Sequence, residues 1–139
     1  MTPRQNLFSA ALMSVLAVGG AGTARAAGDA ANGATVFKKC AACHSAEQGV
    51  NKVGPSLFGV VGRPAGSISG YSYSPAVQQA AAKGLVWSEE TIVAYLANPH
   101  KYLGDFVGDP SVSNKMPFSL ADEQQRRDVV AYLKSLAPQ

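Results

Sequence analysis

The clearest pattern of apolar and polar positions lies near the end of the chain. Apolar residues recur there three and four positions apart, which is the spacing of one face of a helix. That face consists of Val129, Val130, Tyr132, Leu133 and Leu136. Asp122 can cap the helix, and Gln125, three residues later, can complete a capping box. The pattern predicts a last helix from about Asp122 to about Leu136.

Three further helices are predicted mainly from their end signals. They cover roughly residues 30–39, 75–83 and 89–98, with Asp29, Ser74 and Ser88 as N-caps. Gly84 terminates the second, and Pro99 stops the third. Gly33 lies inside the first, where a glycine often marks the close approach of another segment. No run alternates long enough to predict a sheet, so we expect an all-α domain of several short helices and long loops.

The N-terminal apolar run predicts an export signal. Arg4 precedes an apolar stretch from Leu7 to Gly22, and a small-residue cleavage site ends at Ala26. The stretch is shorter than the ~20 residues that span a bilayer, so cleavage is favoured over a retained membrane anchor. We therefore expect a signal peptide over 1–26 and one compact domain over 27–139.

The charge balance argues against one broad class of function. The chain has 12 Lys and Arg residues against 9 Asp and Glu residues, and Arg4 and Arg25 belong to the predicted signal. The remaining balance is nearly neutral, which argues against a nucleic-acid-binding protein. The positive charge can still be concentrated on one face.

Five consecutive residues carry the most informative chemistry of the chain. Cys40 and Cys43 are three positions apart and His44 follows directly, which is the spacing of a c-type haem attachment site. In that chemistry each thiol adds across a haem vinyl group. On a helical segment the spacing places both sulfurs on one side, and the histidine that follows can reach the iron. Export agrees with this interpretation, because covalent attachment takes place after translocation.

Three other uses of the cysteines are less favoured. A closed zinc site needs four N or S ligands, and outside the motif the chain offers only His100. A thioredoxin-like redox pair is expected beside a strand–helix–strand pattern, which the sequence does not show. No disulfide framework beyond Cys40 and Cys43 can exist, since these are the only two cysteines.

A second ligand for the iron is predicted at Met116. Met1 and Met13 leave with the predicted signal, so Met116 is the only methionine of the predicted mature chain. It lies in an irregular segment just ahead of the last helix, where a loop can reach the far face of a haem. Core filling is the ordinary role of a methionine. His100 is the rival ligand, although a solvated loop histidine is the preferred interpretation of it.

A longer series of residues carries a family resemblance. It comprises Gly28-Asp29, Gly33 to Phe37, Gly54-Pro55-Ser56-Leu57, Gly59, Gly62-Arg63, Gly70-Tyr71-Ser72-Tyr73, Trp87, Tyr95-Leu96, Asn98-Pro99, Lys101-Tyr102, Lys115-Met116, Phe118 and Ala131-Tyr132-Leu133-Lys134. With the cysteine motif, this series closely resembles the class I cytochromes c, the single-haem electron carriers that include mitochondrial cytochrome c. The family implies several helices around one covalently bound haem c, with His44 and Met116 on opposite faces of the iron.

The resemblance also implies roles for residues around the haem. Pro55 would offer its carbonyl to the second ring nitrogen of His44, and Tyr95 would lie near the Met116 sulfur. The haem propionates, whose charge needs donors and a cation, would be held by Arg63, Tyr73 and Trp87. The first and last helices would cross at Gly33, Phe37, Val129 and Tyr132.

Two segments are longer than in mitochondrial cytochrome c: Tyr73 to Trp87, and the loop from Tyr102 to Met116. Such segments resemble those of the bacterial photosynthetic and respiratory carriers, so we expect a bacterial periplasmic protein. Val77 stands where the family often has an asparagine facing the haem pocket.

The implied function is that of a high-potential one-electron carrier and not of an enzyme. A buried apolar pocket and a thioether ligand both favour the ferrous state, and two filled axial positions leave no open site. Partner redox proteins would dock on a soluble monomer at a haem edge ringed by Lys39, Lys52, Lys101 and Lys115. Two alternatives stay open: an electron-transfer subunit dedicated to one dehydrogenase, and a haem enzyme or gas-binding protein with a labile sixth ligand.

Overall fold

The computed structural model describes residues 26–137, which form short helices joined by long loops. The elements are α1 (Ala30–Phe37), β1 (Arg63–Pro64), α2 (Pro75–Ala82), β2 (Val86–Trp87), α3 (Glu89–Ala97), α4 (Pro99–Val107) and α5 (Glu123–Ser135). The predicted all-α class is confirmed. The predicted signal lies, except for its last residue, outside the described part. Among the helices of residues 26–137, none has both the length and the apolar character needed to cross a membrane.

Side-chain caps start the four helices that the sequence predicts. The backbone N–H three residues on donates to the cap at 2.9, 3.3, 3.2 and 2.8 Å for Asp29, Ser74, Ser88 and Asp122. Each bond satisfies one of the N–H groups that a helix N-terminus leaves without a partner. Gln125 does not use its side-chain oxygen for a capping box but accepts a hydrogen bond from Lys39 Nζ at 2.8 Å.

The prediction that Tyr102 to Met116 form a loop is wrong for the first part of this segment, which belongs to α4 as far as Val107. Asn98 ends α3 and also caps α4. Pro99 is the first residue of α4, and Gly108 ends the helix with a φ of 81°. Proline lacks the N–H group that a first helical turn leaves unused, so one Asn-Pro pair stops a helix and starts the next.

A short antiparallel ribbon is the second difference from the predicted elements. Arg63 pairs with Trp87, and Pro64 pairs with Val86. Each strand has two residues, too few to show the alternation by which a sheet is predicted. The Gly62 N–H also donates to the Trp87 carbonyl at 2.7 Å. The ribbon thereby fixes Arg63 next to Trp87.

Helices α1 and α5 cross in close contact, as the resemblance implies. The rings of Phe37 and Tyr132 have their centroids 5.4 Å apart and are tilted by 50°. At Gly33, a Cβ atom would collide with the backbone of Asp128 and with the Cβ of Tyr132. The buried Asp128 carboxylate accepts a hydrogen bond from the Asp29 N–H at 2.8 Å. The close approach predicted at Gly33 is confirmed.

The buried apolar side chains form two clusters. The first cluster joins α1, α3 and α5 and consists of Val36, Phe37, Val60, Ile92, Leu96, Leu120, Val129, Val130 and Leu133. The second cluster joins α2 and α4 and consists of Ala65, Ala76, Ala80, Leu85, Leu103, Val107 and Val112. Trp87 and Tyr95 pack against both clusters, with ring centroids 4.9 Å apart. These two rings connect the crossing helices to the longer segments of the chain.

Gly33→Ala should lower the free energy of unfolding by about 1–3 kcal/mol, because the new Cβ would meet backbone that moves only if α1 and α5 separate. Denaturant unfolding of the purified protein measures the loss. Ala34→Ser adds one atom at an exposed position of the same helix and should change stability by less than about 0.5 kcal/mol. Equal stability of Gly33→Ala and the unmodified chain would contradict the tight crossing.

Candidate haem-binding site

The cysteine motif lies on the turns that follow α1. Backbone hydrogen bonds continue past the helix end, and the His44 N–H donates to the Cys40 carbonyl at 2.9 Å. Cys40 is half-buried against the first cluster, Cys43 is exposed, and the two are not joined to each other by a disulfide. Burial raises the pKa of Cys40, Lys39 opposes this shift, and Cys43 adds to it. Two thiols on one turn are what thioether attachment to a haem requires.

His44 is held so that one ring nitrogen stays available. Nδ1 lies 2.8 Å from the Pro55 carbonyl oxygen, which only accepts hydrogen bonds, so Nδ1 carries the proton and Nε2 keeps its lone pair. Burial lowers the pKa of His44, the bond to Pro55 opposes the shift, and Arg63 adds to the lowering. The neutral imidazole is therefore favoured, and this is the form that binds iron.

Hydrogen bonds in the following loop fix the Pro55 carbonyl. Ser56 is almost fully buried, and its hydroxyl donates to a backbone carbonyl of the same loop at 2.6 Å. The Ser56 N–H donates to the Asn51 side chain at 2.9 Å. Gly54 lies against the imidazole ring, where any Cβ would collide with it. Asn51 is absent from the predicted site, because hydrogen bonds inside a short loop leave no periodic pattern in a sequence.

Met116 lies in the loop before α5, and its side chain is next to that of Tyr95 in α3. The Tyr95 hydroxyl donates to the Met116 sulfur across 3.3 Å, and both side chains pack against the first cluster, as does Cys40. Burial raises the pKa of Tyr95 to about 12, with Asn114 opposing the shift and Tyr71 adding to it. The hydroxyl therefore keeps its proton at neutral pH. Asn114, which no sequence pattern singles out, also donates from Nδ2 to the Met116 carbonyl at 3.3 Å.

Arg63 is a half-buried cation whose side chain is hydrogen-bonded to backbone carbonyls. Its Nη1 and Nη2 atoms donate to the carbonyls of Phe58 and Ser56 at 3.1 and 3.0 Å. No carboxylate of residues 26–137 forms an ion pair with it. Burial lowers the pKa of Arg63, and Tyr73 opposes the shift. A buried cation without a counter-charge is costly, so an acidic group of a ligand fits this position.

Tyr73 and Trp87 both lie next to Arg63. Tyr73 is close enough to act on the pKa of Arg63, and its hydroxyl oxygen accepts from the Ile68 N–H at 3.1 Å. The tyrosine proton therefore remains for another acceptor. Trp87 faces Arg63 across the ribbon. The three residues that the resemblance assigns to the propionates thus share one neighbourhood.

His100, the rival iron ligand, lies in the first turn of α4 and not in a loop. Its side chain is exposed, as expected, and its Nε2 lies 3.1 Å from the Pro110 carbonyl. The predicted environment is therefore right in exposure and wrong in secondary structure.

The four lysines expected at the docking face differ in how their charges are held. Lys101 forms an ion pair with Asp105 at 2.6 Å on the exposed side of α4. The other three donate to neutral oxygens: Lys39 to the Gln125 side chain, Lys52 to the Ala41 carbonyl and Lys115 to the Ser72 carbonyl. The sequence pattern did not predict this difference, because α4 was not predicted and only a helix places Asp105 one turn from Lys101.

Together these groups suit a covalently bound haem. The two thiols provide attachment, and a neutral imidazole and a half-buried thioether are both established types of haem-iron ligand. The half-buried Arg63 suits an acidic propionate.

Comparison with known proteins agrees with this set of groups. The family model for cytochrome c matches residues 30–137. Cytochrome c2 from Rhodopseudomonas palustris is 50% identical over 114 residues, covering 78% of this chain and 98% of that protein. Cytochrome c-550 from Novispirillum itersonii is 46% identical over 110 residues, covering 78% and 99%. The solved structure of cytochrome c2 from Rhodospirillum centenum has a TM-score of 0.76 at 46% identity, covering 80% of this chain and 100% of that one.

The matched region contains every candidate site residue, from the cysteine motif to Met116. The relatives are matched over nearly their whole length, so the similarity extends well beyond the attachment motif. The chain belongs to the cytochrome c family, carries one haem c attached covalently through Cys40 and Cys43, and is an electron carrier and not an enzyme.

Proposed function

We propose that His44 and Met116 are the two axial ligands of the haem iron, one on each face. The observation that carries this is a matched pair of supporting contacts: Pro55 holds His44 Nδ1 at 2.8 Å, and Tyr95 donates to Met116 Sδ at 3.3 Å. The first contact leaves the imidazole Nε2 for the iron. The hydrogen bond from Tyr95 occupies one lone pair of the Met116 sulfur and orients the other lone pair, which is left for the iron.

This ligand pair supports a high-potential carrier. The bound haem supplies a one-electron couple. The soft thioether and the half-buried surroundings disfavour the additional positive charge of the oxidised state, so both raise the reduction potential. With His44 and Met116 on the iron, no position is left for a substrate or a gas, which argues against the alternative of a labile sixth ligand.

Arg63, Tyr73 and Trp87 hold the haem propionates. Arg63 offers a half-buried positive charge that no carboxylate of residues 26–137 neutralises. Tyr73 has a proton to donate, since its oxygen already accepts from the Ile68 N–H. An acidic group next to Arg63 would turn a costly isolated charge into a charge-assisted hydrogen bond.

Redox partners dock through acidic surfaces on a face that includes Lys39, Lys52, Lys101 and Lys115. Lys52 donates to the Ala41 carbonyl inside the cysteine motif, and Lys115 directly precedes Met116, so both lie close to the groups that hold the haem. Lys101 contributes less than the other three, because Asp105 neutralises it locally.

The carrier works as a monomer in the bacterial periplasm after removal of residues 1–26. Support comes from the apolar run behind Arg4, from the small residues ending at Ala26, and from the bacterial relatives. The large exposed apolar side chains within residues 26–137 are Val50, Val53, Val86 and Phe106. Four such side chains are too few for an extensive subunit interface.

Met116→Ala should lower the reduction potential by an amount on the order of 0.1 V and open the iron to added imidazole, because the thioether ligand is lost. Potentiometric titration measures the first effect. Near-infrared absorption of the oxidised protein measures the loss of the sulfur-to-iron charge-transfer band.

His100→Ala is the matched control for Met116→Ala and should leave both the spectrum and the potential unchanged. If His100→Ala changed the spectrum and Met116→Ala did not, the sixth ligand would be His100 and the proposed ligand pair would be wrong.

Lys39→Glu should reduce the second-order rate of electron transfer with an acidic redox protein roughly fivefold at low salt, because it reverses a charge that attracts the partner. Stopped-flow kinetics across a salt series measures the rate. The effect should shrink as the Debye length falls to about 8 Å near physiological ionic strength.

Two other lysines calibrate this prediction. Lys101→Glu should slow the reaction less than Lys39→Glu, because Lys101 is already paired with Asp105. Lys134→Glu changes a residue of α5 that is not part of the proposed face and should have little effect. A rate that responded neither to salt nor to Lys39→Glu would mean that recognition is apolar.

A further inference from the structure

A groove of about 640 Å³ runs between α3 and α5, and none of the residues assigned to the haem lines it. We refer to it as the α3–α5 groove. Its lining includes charged side chains of both signs. These are Glu89 and Glu90 of α3, and Glu123, Arg126, Arg127 and Lys134 of α5.

The chain just ahead of α1 reaches this groove and is held there by α5. Ala27 and Gly28 both line the groove. Gln124 Nε2 donates to the Ala27 carbonyl at 3.3 Å, and at Gly28 any Cβ atom would collide with the backbone of α5. The next N–H, that of Asp29, donates to the buried Asp128 carboxylate at 2.8 Å. Three consecutive residues therefore have their positions fixed by α5.

The proposed cleavage after Ala26 changes the charge at this place. In the uncut chain the nitrogen of Ala27 belongs to a neutral peptide bond. After cleavage it is an α-ammonium group, whose ordinary pKa is about 7.7–8.0. Because the Ala27 carbonyl is held by Gln124, the nitrogen stays within about 4 Å of that carbonyl oxygen. The new positive charge therefore arises at the edge of the α3–α5 groove.

Glu123 is the carboxylate best placed to meet this charge. It lies in the first turn of α5, next in sequence to Gln124, which holds Ala27. It accepts from Arg127 Nη2 at 2.6 Å. A carboxylate has two oxygens and about four lone-pair sites, so it can bind a second cation beside an arginine. Glu89, on the α3 side of the groove, is instead paired with Lys134.

We propose that the α-ammonium group of Ala27, created by removal of residues 1–26, is bound in the α3–α5 groove as an ion-pair partner of Glu123. The inference rests on the proposed cleavage after Ala26. The ion pair fastens the chain ahead of α1 to the first turn of α5. Removal of the signal thereby adds a contact to the helix crossing that positions the cysteine motif.

The direct test is the pKa of the Ala27 α-ammonium group in the haem-containing protein. It is read from the pH dependence of the Ala27 methyl signal after labelling with ¹³C-alanine. The pKa should lie about 0.3 to 0.7 pH units above that of the same group in the urea-unfolded protein, because a partly exposed ion pair favours the charged form. Glu123→Gln should remove most of this rise. Glu47→Gln, which removes the same charge from an exposed loop outside the groove, should leave it unchanged.

Stability provides a second measurement with a defined pH dependence. Transamination with pyridoxal phosphate converts the N-terminal amine to a ketone and leaves the lysines intact. A raised pKa gives stabilisation that is fully present below the pKa of the unfolded chain and is lost as pH rises through the folded pKa. The unmodified protein should therefore unfold at a higher urea concentration than the transaminated protein at about pH 6.5, and at nearly the same concentration at about pH 9.5.

Other charged groups face the same place, and both forms of the protein carry them alike. They are the six that line the α3–α5 groove, together with Asp29 and Asp128 at the start of α1. Carboxyl, guanidinium and lysine ammonium groups ordinarily titrate outside the range between these two pH values. With Glu123→Gln, the unmodified and transaminated proteins should unfold at the same urea concentration at both pH values.

The intact mass of the exported protein separates failure of the inference from failure of the proposed cleavage. A mass that placed the N-terminus anywhere but at Ala27 would contradict the cleavage, and the inference would fall with it. With the N-terminus at Ala27, an α-ammonium pKa equal to that of the unfolded chain would overturn the inference alone. A raised pKa that persisted in Glu123→Gln would also overturn it, because the partner would then be another group.

Discussion

Covalent attachment of the haem at Cys40 and Cys43 is the constraint on which the rest of the fold depends. It places a large, flat, apolar group directly after α1, so the position of α1 sets the position of the haem. The crossing with α5 holds α1 in place, and Gly33 permits that crossing because it brings no side chain between the two backbones. The remaining chain has to cover the group from this starting point, which explains why so many of its residues are in loops.

The groups in hydrogen-bond contact with the side chains of the two proposed ligands are electrically neutral. Burial keeps His44 neutral by lowering its pKa, and keeps Tyr95 neutral by raising its pKa to about 12. Pro55 and Asn114, which also touch the ligands or their partner, carry no charge. Because the pKa shifts of His44 and Tyr95 both favour the neutral form, neither group has to gain a proton when an electron arrives. Such a site suits rapid transfer between proteins.

The predictable part of the molecule is the part that leaves local signals. The four capped helices and the cysteine motif are visible because caps, helical spacing and thiol spacing act over a few residues. Helix α4 was not predicted, because Pro99 was interpreted only as the stop signal of α3, whereas it is also the first residue of α4. The ribbon was hidden because each strand has two residues.

The residues of the haem-binding site also divide into those with a sequence signal and those without one. The family resemblance led to Pro55 and Tyr95, whose contacts with His44 and Met116 are present. Asn51 and Asn114 carry no comparable signal, since a loop asparagine gains its role only when distant residues meet it. The unequal charges of the docking lysines were hidden for a related reason: Asp105 can pair with Lys101 only on a helix.

The two segments that the resemblance identified as longer than in mitochondrial cytochrome c, Tyr73 to Trp87 and Tyr102 to Met116, pack on each other. Helices α2 and α4 form the second cluster, in which Leu103 is fully buried, and Lys83 at the end of α2 donates to the last carbonyl of α4 at 2.6 Å. The contacts between α2 and α4 therefore form a cluster of their own beside the first one. Tyr95 belongs to the surroundings of both clusters, and Tyr102 of α4 meets its ring edge-on. Through this contact α4 packs against the same tyrosine that donates a hydrogen bond to the methionine sulfur.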